Sequence, residues 1–211
     1  MIGVYDYTVV LTYLGFSSGI LGILLAIKDP KHLFPAIICL MFSGLCDMFD
    51  GRVARTKKKR TVEEKHFGIQ LDSLSDLVCF GVLPAVIGYS LGLNKCYLLP
   101  LIIFFPAAAL IRLAYFNVLE IIRNSSTPVK EYTGLPVTSS ALIFPFIYIF
   151  RRLLGSNFVI LYGVVMFIVG VLFITKFKIK KPNLKTMIGF ILIGVLEVIL
   201  IITVYKFLWD M

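Results

Sequence analysis

Charge is scarce in this chain of 211 residues: Asp, Glu, Lys and Arg make up 16%, against about 25% in a soluble domain. Cysteine is equally thin. Cys39, Cys46, Cys79 and Cys96 stand alone, with no CxxC spacing, which excludes a zinc-finger or disulfide framework and leaves them as small buried hydrophobes. His66 sits in a basic loop and is expected to be solvated; with no second helical histidine it is a poor metal-ligand candidate. There is no basic stretch ahead of the first apolar run and no small-x-small cleavage site after it, so that run is expected to stay in place as a membrane helix rather than be removed. No internal repeat and no low-complexity tract interrupts the chain.

What is abundant is apolar: 59% of residues are hydrophobic. A membrane-spanning helix needs about 20 mainly apolar residues, and seven runs qualify as helices: 7–27, 33–54, 68–93, 97–122, 135–150, 157–175 and 184–208. The expected fold is all-α, a polytopic bundle of six core helices plus a seventh at the C-terminus, divided as a membrane domain over 1–183 and an added helix over 184–211. The net charge of +9 fits cytoplasmic loops and anionic lipid head groups, not nucleic acid. If all seven helices span, loops 52–67, 123–134 and 176–185 share one side and carry fourteen basic residues against six on the other. The excess of positive charge puts that side in the cytoplasm. The expected setting is a multi-pass protein of the cell membrane with its acidic site facing the cytoplasm.

Acids are few but concentrated. Asp47 and Asp50 end the second run, and Asp72 and Asp76 open the third. Spacings of three and four put each pair on one helix face. A short connection makes the two helices antiparallel neighbours, so both pairs reach one depth. An unpaired carboxylate in a membrane helix costs roughly 2.5–3.5 kcal/mol, and four together repel. Two divalent cations would neutralise them, and a set of carboxylate oxygens suits Mg²⁺, Mn²⁺ or Ca²⁺. A two-metal clamp serves phosphoryl chemistry, and one carboxylate is then available as a proton acceptor. Gly51, Ala54 and Gly68 leave room for a ligand against the backbone, and Arg55 can grip a phosphate. The run Lys57–Lys58–Lys59–Arg60 reads as a solvated loop.

Asp47-x2-Asp50-Gly51-x2-Ala54-Arg55, followed by Gly68-x3-Asp72-x3-Asp76, resembles the signature of the CDP-alcohol phosphatidyltransferases. One departure is the twelve residues 56–67 between Arg55 and Gly68, longer than the family usually has. Beyond the signature, "LDSLSDLVCFGVLPA" (71–85), "IRLAYFNV" (111–118), "GLPVTSSA" (134–141) and "TKFKIKKPNLK" (175–185) are similar to segments of the bacterial and archaeal phosphatidylserine synthases. The resemblance implies two Mg²⁺ or Mn²⁺ ions on Asp47, Asp50, Asp72 and Asp76, with Asp76 also the base that activates the acceptor hydroxyl. It implies a CDP pocket lined by Gly51, Ala54, Arg55 and Gly68, with Thr12 matching a family position in the first helix. The substrates it implies are CDP-diacylglycerol and L-serine, the products phosphatidylserine and CMP, and the assembly a homodimer.

Arg112 is expensive inside the fourth helix unless it has a partner: the serine carboxylate, the diphosphate or a site aspartate. Asn117 and the cluster Thr138–Ser139–Ser140 either contact the acceptor, with Ser139 the foremost candidate, or bond across helix interfaces. Sister enzymes that use glycerol 3-phosphate or an inositol phosphate need further cations near the site, and helices four and five offer only Arg112. A cation transporter would place its acids at helices broken near the bilayer midplane; here they lie at the cytoplasmic edge.

Overall fold

The computed structural model describes residues 3–31, 33–122, 131–180 and 184–207. Among these, seven helices of nine residues or more follow one another: α1 (Val10–Lys28), α2 (Phe34–Thr56), α3 (Val62–Leu91), α4 (Leu99–Ile122), α5 (Ser140–Tyr148), α6 (Phe158–Ile174) and α7 (Leu184–Phe207), with one short turn of helix at Arg151–Leu154 before α6. Six helices are long and apolar enough to cross a membrane. The fold is therefore the expected polytopic helical bundle. Arg123, Lys130 and Lys181, counted in the charge balance, lie outside the described residues, as does the expected end of the last helix at 208.

The fifth helix is shorter than expected. With its leading 3-10 turn it covers Val137–Tyr148, about 18 Å at 1.5 Å per residue, because Pro136 is extended (φ −59°, ψ 137°) and holds the preceding chain out of the helix. It nonetheless runs beside α2 along its length. Ala141 abuts Gly44, and past its end Arg151 Nη2 donates to the Lys31 carbonyl at 3.0 Å. The two helices touch so closely that a Cβ on Gly44 would collide with the Ala141 methyl. Gly44→Ala is therefore expected to destabilise the protein by about 1–3 kcal/mol, and Gly44→Ala combined with Ala141→Gly to recover most of that loss. Thermal unfolding in detergent measures both; an unchanged melting temperature for the single variant would refute the contact.

Small residues also seat α1. Gly15, Gly19 and Gly22 face Cys46, Cys79 and Cys39 respectively, with too little space for a side chain at Gly19 and Gly22. Close approach through small residues is how membrane helices gain packing when no water drives them together. Cys39, Cys46 and Cys79 are buried as expected; Cys96, at the exposed turn between α3 and α4, is not, because it falls in a connection rather than on a packed face.

Deeper in the bundle an aromatic core joins α3 to α6. Phe105 meets Phe144 edge-on at 5.5 Å, Phe144 lies 4.9 Å from Tyr162, and the Tyr162 hydroxyl donates to the Pro84 carbonyl at 2.8 Å. α3 is one helix with a π-helical segment over Leu77–Val82, where the Leu83 N–H donates to Val78 O, five residues back. Pro84 has no N–H to offer the Phe80 carbonyl, which releases the chain into the wider register. Such segments recur at functional sites, and this one begins directly after Asp76.

Two three-residue strands add a feature absent from the expected all-α plan. Glu131–Thr133 pairs antiparallel with Lys178–Lys180. Gly134, which follows at φ +75°, lies against the carbonyls of Phe173 and Thr175 and donates to Phe177 O at 2.7 Å; its backbone angle and the crowding both demand glycine.

Candidate active site

The connection between the two acidic helices differs most from expectation. α2 continues to Thr56 and α3 starts at Val62, so the non-helical stretch is only 57–61. Thr61 caps α3: its hydroxyl accepts from Glu64 N at 3.1 Å, and Thr61 N donates to Glu64 Oε2 at 3.0 Å. This reciprocal box was written in the sequence as Thr-x-x-Glu. The run of basic residues is correspondingly not all solvated. Lys57 Nζ is 2.7 Å from Asp6 Oδ2 and 2.9 Å from Glu64 Oε1, which ties the segment before α1 to the turn. His66 lies on α3, exposed.

Lys57, with help from Thr8, holds the Asp6 carboxyl down to about 2 from 3.8. A carboxyl depressed in the folded state stabilises it above its unfolded value and loses that contribution as pH falls through its folded value. The Asp6–Lys57 tie is thus complete above pH 4 and released towards pH 2. Hydrogen exchange of residues 57–61, corrected for its intrinsic pH dependence, is expected to speed up over that interval. Asp6→Asn should exchange fast throughout; equal protection in the variant would dismiss the tie.

The four aspartates converge at the end of α2 and the middle of α3. Carboxylate oxygens of Asp47, Asp50 and Asp72 all lie within 4.8 Å of one another. Asp76 lies near Asp47, and Asp72 near Asp50, close enough to interact electrostatically. Asp50 and Asp76 are buried. Two ionised carboxylates do not stay at such range without a cation or proton between them. Asp72 Oδ1 is moreover buried with no hydrogen-bond partner. Hard oxygens, mutual proximity and an orphaned acceptor together fit divalent cations of the Mg²⁺ or Mn²⁺ kind.

The remaining predicted residues divide. Thr12, buried on α1, donates to Asp50 Oδ2 at 2.9 Å, so a third helix completes the cleft. Arg55 folds back on its own helix, Nε donating to Gly51 O at 2.8 Å, and is exposed. The space over Gly51 is open apart from that guanidinium, whereas Gly68 lies beneath the guanidinium of Arg60. Ala54 lies one turn from Asp50 on α2. Arg112 is buried on α4, 4.5 Å from the Phe116 ring centroid and close enough to Asp47 to interact electrostatically.

Asn117 and Ser139 are not brought to the acids. Asn117 accepts from Ser73 Oγ at 2.8 Å and donates to Gln70 Oε1 at 3.2 Å, fastening α4 to α3. Ser139 Oγ donates to Pro136 O at 2.6 Å within its own turn. The neighbouring residue Thr138 is near enough to Asp47 to influence its carboxylate. Ser43 and Ser75 also line the cleft, and sequence reasoning passed over both. Their signal was present: each lies four residues before an acid or cysteine of the same face, Ser43 before Asp47 and Ser75 before Cys79.

Comparison with known proteins bears on this arrangement. The family model for CDP-alcohol phosphatidyltransferases matches residues 8–176. The CDP-diacylglycerol–serine O-phosphatidyltransferase of Saccharomyces cerevisiae is 34% identical over 153 residues, 70% of this chain and 54% of that one. The archaetidylserine synthase of Methanothermobacter thermautotrophicus is 34% identical over 179 residues, 82% of this chain and 69% of that one. The CDP-diacylglycerol–serine O-phosphatidyltransferase of Methanocaldococcus jannaschii is 34% identical over 184 residues, 87% and 77% of the two chains. The chain thus spans about half the length of the yeast relative. No solved structure matches.

Proposed function

Since the chain belongs to the CDP-alcohol phosphatidyltransferase family, we propose that it transfers a phosphatidyl group from CDP-diacylglycerol to the hydroxyl of L-serine, giving phosphatidylserine and CMP. The observation that carries the reading is the convergence of four carboxylates from α2 and α3, with Thr12 of α1, in one cleft of a membrane bundle. The names of the relatives support serine as the acceptor.

Asp47, Asp50, Asp72 and Asp76 would hold two Mg²⁺ or Mn²⁺ ions, which would supply charge neutralisation and polarise the phosphoryl oxygens. The chain's own residues do the rest. Asp76 takes the proton of the serine hydroxyl. The freed oxygen bonds to the phosphorus that bears diacylglycerol, and the bond from that phosphorus to the bridging oxygen breaks, so that CMP leaves with the electron pair. Thr12 fixes the Asp50 carboxylate by its hydrogen bond. Arg112 receives the serine carboxylate beside Asp47 and, stacked on Phe116, keeps a defined orientation. Gly51, Ala54, Arg55 and Gly68 border the nucleotide. Preorganised charge in a site shielded from water carries the acceleration. The basic turn between α2 and α3 supports a cleft that faces the cytoplasm across the cell membrane.

CMP release by the purified protein with CDP-diacylglycerol and Mn²⁺ tests this, with L-serine, glycerol 3-phosphate and inositol phosphate compared as acceptors. Release with serine alone is expected. Release with a phosphorylated acceptor instead would move the protein to a sister activity, and none with any acceptor would end the transferase reading.

A further inference from the structure

The turn between the acidic helices is built, not loose, and it lays one side chain over Gly68. Lys57 is taken up by Asp6 and Glu64, and Thr61 by Glu64. Between them Arg60 folds back along α3, its Nη2 donating to the Glu64 carbonyl at 3.1 Å. A Cβ built on Gly68 would lie 2.9 Å from that Nη2, so the guanidinium covers the bare backbone of Gly68, one helical turn before Asp72. Its Nε is buried and has no hydrogen-bond partner. A guanidinium N–H withdrawn from water without an acceptor is costly, and here it is held over Gly68, one helical turn before Asp72.

The cleft has two ends. Arg112 and Asp76 are near enough to Asp47 to interact with it electrostatically, while Thr12 bonds to Asp50 and Arg60 covers Gly68, four residues before Asp72 on α3. If Asp76 takes the proton of the acceptor, the acceptor occupies the first end and the donor's head group the second. We infer that Arg60 is a donor-binding residue, its Nε–H giving a hydrogen bond to an oxygen of the nucleoside diphosphate head group above Gly68. The inference rests on the phosphatidyltransferase reading. A planar guanidinium suits this place better than an ammonium: it can give paired N–H bonds to a phosphate and also lie flat on a base. Gly68 has no side chain to hold the guanidinium away, and the salt bridges of Lys57 set its direction of approach.

The experiment uses the full chain in detergent. Arg60→Gln, Arg60→Lys and Thr61→Ala are compared for KM of CDP-diacylglycerol, KM of serine, kcat and CMP binding by calorimetry. Loss of one charged hydrogen bond is expected to raise the donor KM and the CMP dissociation constant about tenfold in R60Q. The serine KM and kcat should stay within about twofold. R60K should recover part of the loss. Competition by inorganic pyrophosphate and by cytidine then locates the contact: weakening of the first alone assigns it to the diphosphate, of the second alone to the base. Unchanged donor KM and CMP binding in R60Q would overturn the inference. So would an equal rise in T61A, which loosens the same turn but keeps the guanidinium. A wild-type chain that releases no CMP with any acceptor would defeat the underlying reading instead, and calorimetric CMP binding tells the two failures apart.

Discussion

Asp76→Asn is expected to lower CMP release by about a thousandfold or more, within the 10²–10⁴ that a positioned general base contributes and with a metal ligand weakened besides. The substitution keeps shape and volume, and an amide accepts no proton from the serine hydroxyl. Asp47, Asp50 and Asp72 remain grouped within 4.8 Å, and Thr12 still orients Asp50, so CMP should continue to bind measurably. The readout is single-turnover CMP release alongside CMP binding. Turnover at the wild-type rate would remove Asp76 as the base, and loss of binding in step with turnover would make it a ligand only. A side effect has the opposite sign. In metal-free protein, replacing one of four crowded carboxylates relieves repulsion, so the apo variant should melt above the apo wild type: a site shaped for function costs stability when empty of its ligands.

Chelation is expected to abolish turnover outright and to lower the melting temperature, and Mn²⁺ or Mg²⁺ to restore both. The reason lies in Asp72 Oδ1, buried with no hydrogen-bond partner, and in carboxylate oxygens of Asp47, Asp50 and Asp72 gathered within 4.8 Å of one another. A cation that binds only the folded state at a hundredfold its dissociation constant adds about 2.7 kcal/mol. Asp72→Ala should lose both the activity and the metal-dependent rise in melting temperature, since it removes the orphaned acceptor and one side of the cluster. Thermal unfolding with and without Mn²⁺ reads this independently of the assay. Full activity and an unchanged melt in EDTA would exclude the metal site.

The proposed choice of serine rests on a single cation: Arg112 is buried beside Phe116 and near Asp47, where the carboxylate of that acceptor would be received. The acceptor comparison proposed above therefore also probes Arg112.

The sequence by itself determined the class of fold and the four acids. Long apolar runs leave few alternatives to membrane helices, and spacings of three and four place carboxylates on one face whatever surrounds the helix. Asp47, Asp50, Asp72 and Asp76 were legible for that reason, and Thr12 only through a resemblance, because a lone threonine in an apolar run carries no period. The tertiary structure decided what depends on two elements meeting. Thr138 rather than Ser139 comes near Asp47, because the 3-10 turn after Pro136 directs the Ser139 hydroxyl back onto the Pro136 carbonyl. Asn117 is used between α3 and α4 instead of at the cleft. The basic run divides into an anchored Lys57 and an Arg60 laid over Gly68, since a capping box starts α3 six residues before the expected helix. Local spacing fixes which residues share a face; which polar atom is left without a partner is settled only when several faces compete for it, and that competition exists only in the folded chain.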